Sequence, residues 1–266
     1  MKWAGRSMLY PYEKEAEALA SAISASCAGI GECALAFSGG LDSSLLAHHL
    51  RDRCRGYVYG VPGAWDLKAA EAAASLLGIP LEVVHLDERV VERALEVIGT
   101  AAGTDLSPSE ATILIPCTAL CMHAKEKTVV TGQGADELFG GYARYLRKED
   151  AAEEMRIDLA RAMERGIRFE RLAAAALGKS ALHPYLDPEV IAAAQLPPDA
   201  HIWYGRRKAL LRAAARCAGL PNALVEMPKK AAQYGSGATK LVAKMAKNKG
   251  TSAAEYVKDA LSRGKI

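Results

Sequence analysis

Apolar positions in the first half of the chain switch repeatedly between two periods. Ala16, Leu19, Ala20 and Ile23 recur at helical spacing, and the short apolar run Cys33-Ala34-Leu35-Ala36-Phe37 then reads as a buried strand. The alternation continues: the spacing predicts a helix over 42–53, a strand over 56–60, a helix over 66–77 closed by Gly78 and Pro80, and a strand over 81–85. Val91, Ala94, Leu95 and Ile98 mark another helical face, and after a loop over 103–108 a helix through 112–125 leads to a strand over 128–131. Strands and helices in this order predict an α/β fold, a doubly wound parallel sheet with helices on both faces. From about residue 147 the pattern turns helical, over 149–165 and 169–177, with Pro184, Pro188, Pro197 and Pro198 punctuating the connections. No repeat or linker demands a boundary, so one domain over 1–266 is expected, with an α/β core over 1–146 and a mainly helical extension over 147–266.

Composition narrows the class. Of the 266 residues, 50% are hydrophobic and 24% charged, which excludes disordered, collagen-like and coiled-coil chains. The longest uncharged stretches, over 18–31 and 111–124, are 14 residues each, short of the roughly 20 apolar residues of a membrane span. Residues 1–12 lack the apolar core of a secretion signal. The expected location is therefore the cytoplasm, with the six cysteines reduced. Net charge is only +3, but residues 201–266 hold 14 Lys/Arg against Glu226, Glu255 and Asp259, a local surplus of +11 that leaves −8 elsewhere. Such a segment suits a polyphosphate or RNA partner, and a solvated lysine-rich tail equally well.

Two glycine-rich segments carry the chemistry. The strand ending at Phe37 runs into Ser38-Gly39-Gly40-Leu41-Asp42-Ser43-Ser44 and then directly into a helix. Glycines let the backbone approach a polyphosphate, the helix start offers unpaired N–H groups, and the serines add hydroxyl donors. Asp42 among phosphate donors makes sense as a ligand for a divalent cation. No Gly-Lys-Ser/Thr follows, so this is not a Walker loop. The second segment, Thr131-Gly132-Gln133-Gly134-Ala135-Asp136-Glu137-Leu138-Phe139-Gly140-Gly141-Tyr142, also follows a predicted strand and sets two carboxylates among four glycines.

The first segment resembles the pyrophosphate loop of enzymes that split ATP between its α and β phosphates, in the adenine nucleotide hydrolase-like fold group. The second resembles the Gly-Glu-Gly-X-Asp-Glu-Leu-Phe-Gly-Gly-Tyr motif in the synthetase domain of asparagine synthetases and the related β-lactam synthetases. Further matches fall in the same order: Gly60-Val61-Pro62-Gly63-Ala64-Trp65-Asp66-Leu67-Lys68-Ala69-Ala70 at the second strand, His183-Pro184-Tyr185-Leu186-Asp187, Lys208-Ala209-Leu210-Leu211-Arg212, and Met227-Pro228-Lys229-Lys230 against the family's Arg-Pro-Lys. The resemblance implies ATP and Mg²⁺ as cofactors, with Asp42 and Asp136 as metal ligands. It implies Ser38, Gly39, Gly40, Leu41, Asp42, Ser43 and Ser44 around the phosphates, and Phe37, Tyr59, Thr131 and Gly132 around adenosine. Lys229 matches the lysine that stabilises negative charge in the adenylation and transfer transition states, with Lys230 as its rival.

Departures bear on the substrates. Position 2 is Lys2, and the residues before the first strand are too few for the glutaminase domain of glutamine-dependent members. Gln133, the second candidate catalytic position, stands where asparagine synthetases place a glutamate and β-lactam synthetases a tyrosine, and an amide cannot act as a general base. Ser180 and Leu182 replace a glutamate and an arginine usual in the family. Cys117 and Cys121, four apart on a predicted helix, read as small core residues, and His48, His49 and His85 as structural.

The expected activity is that of a Mg²⁺-dependent, AMP-forming carbon-nitrogen ligase: a carboxylate, by default aspartate, is adenylated, and an amine, by default ammonia, displaces AMP. Two alternatives stand beside it: a pyrophosphate-loop enzyme acting on tRNA, supported by the basic C-terminal segment and the cysteine pair, and a nucleotide-binding subunit without catalysis that works with a separate glutaminase.

Overall fold

The computed structural model describes residues 10–103, 105–147, 150–227 and 236–264. Five strands, β1 (Cys33–Ala36), β2 (Cys54–Gly60), β3 (Leu81–His85), β4 (Thr128–Val130) and β5 (Ser180–Leu182), form one parallel sheet in the order β3-β2-β1-β4-β5. β1 pairs with both β2 and β4, Ala34 lying opposite Arg55 on one side and Val129 on the other.

Each strand in the first half is followed by a helix, as the periodicity predicts: α1 (Glu13–Ala28) precedes β1, α2 (Leu41–Leu50) follows it, α3 (Trp65–Leu77) follows β2, and α4 (Glu88–Ala102) and α5 (Pro108–His123) follow β3. Local chemistry sets their ends. Gly78 closes α3 in the left-handed conformation, the Asp87 side chain accepts from the Val90 amide to start α4, and Ser107 and Glu110 form a reciprocal capping box at α5 with Pro108 in its first turn. Successive β1 residues face opposite sides of the sheet. Leu35 packs with Ile23 of α1 and Leu45 of α2, whereas Ala34 packs with Leu120 and Cys121 of α5. Helices therefore cover both faces.

The second half is less helical than its pattern suggests. The predicted helix over 149–165 is α7 (Ala151–Arg161), which runs through a π-helical turn, Ala162–Ile167, into α8 (Arg168–Ala176). β5 follows and extends the parallel sheet, so the sheet is not confined to residues 1–146. A two-stranded ribbon of β6 (Ile202–Trp203) and β7 (Arg206–Arg207) leads into α11 (Ala209–Cys217), after the short helices α6 (Ala135–Leu138), α9 (Pro188–Ala193) and α10 (Pro198–His201). α12 (Asn222–Val225) comes next, and α13 (Ala238–Asn248) and α14 (Ala253–Arg263) then pack back on α4 and α5. There Val242, Met245, Val257 and Leu261 share a core with Leu95, Leu114 and Phe169.

That packing answers the charge asymmetry in part. Lys249 reaches Glu92 at 3.4 Å and Lys244 lies 3.9 Å from Glu88, so basic residues of the C-terminal segment meet acidic residues of α4. Arg206 and Arg216 both pair with Glu226. Among the described residues, no helix is long and apolar enough to cross a membrane.

Candidate active site

Because β2 and β4 flank β1 on opposite sides, the chain leaves β1 and β4 at the point where the strand order reverses, and a crevice opens beyond their C-terminal ends. Both glycine-rich segments lie there. After β1, Gly39 adopts φ 71°, and a Cβ on it would lie 2.4 Å from the Ala69 carbonyl oxygen, so only glycine lets this loop press against α3. Ser43 ties the turn together: its hydroxyl accepts from the Ser38 amide at 3.3 Å and donates to the Gly40 carbonyl at 3.2 Å. No side chain caps the first turn of α2, which leaves its amides available to an anion. The Tyr185 hydroxyl fixes the loop from below by donating to the Asp42 carbonyl at 2.8 Å.

After β4, Gly134 at φ 86° turns the chain into α6, which carries Asp136. The two candidate metal ligands, far apart in sequence, meet at one point. That point holds the ammonium of Lys208, with Nζ 2.6 Å from both carboxylate oxygens of Asp42 and 2.7 Å from Oδ1 of Asp136. Lys208 is only 2% exposed. Burial would push its pKa down, but the charges of Asp136 and Asp42 outweigh that and hold it above its ordinary value. Gly141 makes the approach possible, since a Cβ there would lie 2.0 Å from Asp136 Oδ1 and 2.5 Å from Lys208 Cε. Among the described residues no group of three or more metal-ligating side chains converges, so a cation on this carboxylate pair would draw its remaining ligands from outside the protein.

The crevice encloses about 430 Å³. Of the residues selected from sequence, Phe37, Ser38, Gly39, Gly40, Leu41, Asp42, Ser43, Tyr59, Thr131, Gly132, Gln133 and Asp136 all line it. Ser44 departs from the expected set: one position further round α2, it is fully buried and absent from the lining. Lys229 and Lys230 fall outside the described residues.

Among the lining residues outside that set, two bear most directly on the chemistry. One is Lys208, whose motif was visible but whose position between two aspartates was not. The other is Glu170 of α8, 2% exposed in the crevice wall. The Cys117 thiol donates to its Oε1 at 3.0 Å, while Oε2 is buried with no partner in hydrogen-bonding geometry among the described residues. Burial raises the Glu170 pKa, and Cys117, Gln133 and Thr131 beside it pull the other way without cancelling the rise. Thr131 also bonds the His183 ring at 2.9 Å, and burial pushes that histidine down to about 4. Cys117 is thus both a buried residue of α5 and part of the crevice wall; Cys121, burial and the Glu170 charge keep its thiol protonated, which disfavours nucleophilic use.

The asparagine synthase family profile matches residues 14–177 and 146–263. The chain is 30% identical over 268 residues to an asparagine synthetase [glutamine-hydrolyzing] 1 of Methanocaldococcus jannaschii, covering 84% of this chain and 49% of that protein. It is 27% identical over 181 residues to asparagine synthetase B of Escherichia coli, covering 58% of this chain and 32% of that protein. The chain therefore spans about half the length of the archaeal relative and a third of the bacterial one. Among solved structures, NMN synthetase from Francisella tularensis aligns with 97% of both chains at 10% identity and a TM-score of 0.44.

Proposed function

This chain belongs to the asparagine synthase family, and from that premise we propose that it is an ATP-consuming, AMP-forming amide ligase: it adenylates a carboxylate and passes the acyl group to an amine. The observation that carries this reading is the convergence of Asp42 and Asp136 on one cationic point beside the uncapped start of α2. Such an arrangement suits a metal-bound polyphosphate.

The donor set fits Mg²⁺, a hard cation that takes one or two carboxylates and completes its shell with water and phosphate oxygens. Asp42 and Asp136 would hold it, and bound there it would neutralise charge on the phosphates as pyrophosphate leaves. The rest falls to the chain. Gly39, Gly40 and the α2 amides approach the phosphates without a side chain in the way, and Ser38 adds a hydroxyl donor while Ser43 holds the turn. Phe37 and Tyr59, with the backbone at Thr131 and Gly132, line the space assigned to adenosine. Lys229 remains the cation proposed for the developing charge on the reacting groups.

In the second half-reaction an amine must lose a proton as its nitrogen bonds the acyl carbon and AMP departs. Gln133 cannot take that proton. Glu170 stands beside Gln133, buried in the crevice wall, and a carboxyl raised from its ordinary range is better matched to that task. We assign it the base role. Aspartate and ammonia are the default substrates, the ammonia arriving free or from a separate glutaminase. The tRNA reading gains no support: the Cys117 thiol is engaged with Glu170, and Lys244 and Lys249 face acidic residues of α4.

The test is a screen for pyrophosphate release from ATP across amino-acid carboxylates, with and without ammonium, glutamine and tRNA. Release that requires a carboxylate, and amide formation that requires ammonium, support the proposal; release that requires tRNA would replace it.

A further inference from the structure

Lys208 is held in place from every side. Its backbone lies in the left-handed region at φ 58°, unusual for a residue with a side chain, at the junction between β7 and α11. Its carbonyl accepts from the Arg212 amide at 2.9 Å, which locks it into the first turn of α11. Gly141 packs so closely that even a methyl group there would collide with Lys208 Cε. The ammonium at the end of this strained anchor makes contacts of 2.6 Å, 2.6 Å and 2.7 Å with the two aspartates.

Those aspartates are the proposed metal ligands, so the protein supplies its own cation to the metal position. A free divalent ion approaching them would have to shed water, break three charge-assisted hydrogen bonds and sit beside a buried ammonium with no anion to offset the added charge. A cation arriving with a nucleotide meets different terms. The polyphosphate brings its own negative charge, supplies the missing ligands and offers Lys208 new acceptors.

We propose that Lys208 is a resident counter-ion that closes the Asp42–Asp136 pair to free divalent cations and yields it only to a cation delivered with the nucleotide. This rests on reading the two aspartates as metal ligands. Binding is then coupled: the nucleotide-free chain keeps its two carboxylates bridged by one ammonium without metal, and neither free metal nor metal-free ATP forms the full set of contacts.

Electron paramagnetic resonance with MnCl₂ as the probe counts free and bound ion directly and needs no turnover. Nucleotide-free wild type should take up Mn²⁺ at this site about a hundredfold or more weakly than wild type saturated with the non-cleavable analogue α,β-methylene-ATP. Lys208→Met, with circular dichroism confirming its fold, should bind one free Mn²⁺ about a hundredfold or more tighter than wild type, and adding Asp42→Asn should remove that gain. Should Lys208→Met fail to fold, the wild-type comparison decides: free Mn²⁺ bound as tightly without the analogue as with it overturns the proposal. A folded Lys208→Met that gains no affinity for free Mn²⁺, while still binding it with the analogue, overturns the counter-ion role and leaves the metal ligands standing. If the analogue brings no Mn²⁺ to wild type or variant, the assignment of Asp42 and Asp136 as ligands has failed and the proposal falls with it.

Discussion

The Cys117 thiol on α5 donates a 3.0 Å hydrogen bond to Oε1 of Glu170 on α8, and in doing so holds that carboxylate against the crevice wall with Gln133 and Thr131 beside it. Two helices on the same face of the sheet thereby present a buried acid beside Gln133. In the proposed reaction the pair would serve the second half alone.

If Glu170 takes the proton from the attacking amine, Glu170→Gln should lower amide formation by about 10²- to 10⁴-fold. Adenylation does not use that proton, so exchange of labelled pyrophosphate into ATP should persist within about threefold of wild type. Equal losses in both assays would show that Glu170 supports the crevice as a whole.

Asp42→Asn and Asp136→Asn should each reduce pyrophosphate release by at least about a hundredfold, because ligand charge is lost at nearly constant volume. Each single variant leaves Lys208 one carboxylate partner, so both should remain folded by circular dichroism. Activity retained in both would contradict the assignment.

How much of this could be read from the chain alone depends on how local each signal is. Asp42 and Asp136 each sit in a glycine-rich segment directly after an apolar strand, so their place in the crevice was legible. β5 was not legible, since Ser180-Ala181-Leu182 is too short to show a period and becomes a strand through its pairing with β4. Glu170 left a trace that was not followed. It shares the buried face of α8 with Phe169, Ala173 and Ala174, and a carboxylate on an apolar helical face is unusual enough to question. For Lys208 the motif was visible, but the salt bridge joins three distant segments and nothing local announces it. Ser44 shows the opposite case, a residue grouped with the loop by resemblance whose side chain the turn of α2 carries out of the crevice lining.

Gly141→Ala should disrupt the same salt-bridge cluster by steric means. The added methyl would meet Asp136 Oδ1 at 2.0 Å and Lys208 Cε at 2.5 Å. Unfolding in urea should show a loss of about 2 kcal/mol or more. Gly29→Ala, where a Cβ meets nothing within 4 Å, should change stability little; comparable losses in both would show that the close approach at Gly141 is not the cause.

His183 and His201 are buried, and that burial pushes each imidazole from 6.5 down to about 4. Both folded-state values lie below the unfolded one, so the stability from keeping the rings neutral is fully present above pH 6.5. It is lost as the pH falls toward 4, by about 3 kcal/mol per ring. Proton NMR should show neither ring titrating between pH 8 and pH 5 in the folded protein. A midpoint near 6.5 for either would mean that its ring is open to water.

The central claim is that a carboxylate oxygen attacks the α-phosphorus of ATP, and oxygen-isotope transfer tests it most directly. The carboxylate that supports pyrophosphate release in the screen is prepared with ¹⁸O in its carboxyl group and turned over with ATP and ammonium, and the nucleotide and phosphate products are separated by mass. Adenylation followed by amine attack leaves one ¹⁸O in AMP, with pyrophosphate unlabelled. Label in inorganic phosphate together with ADP, or AMP that carries no ¹⁸O, would contradict the account.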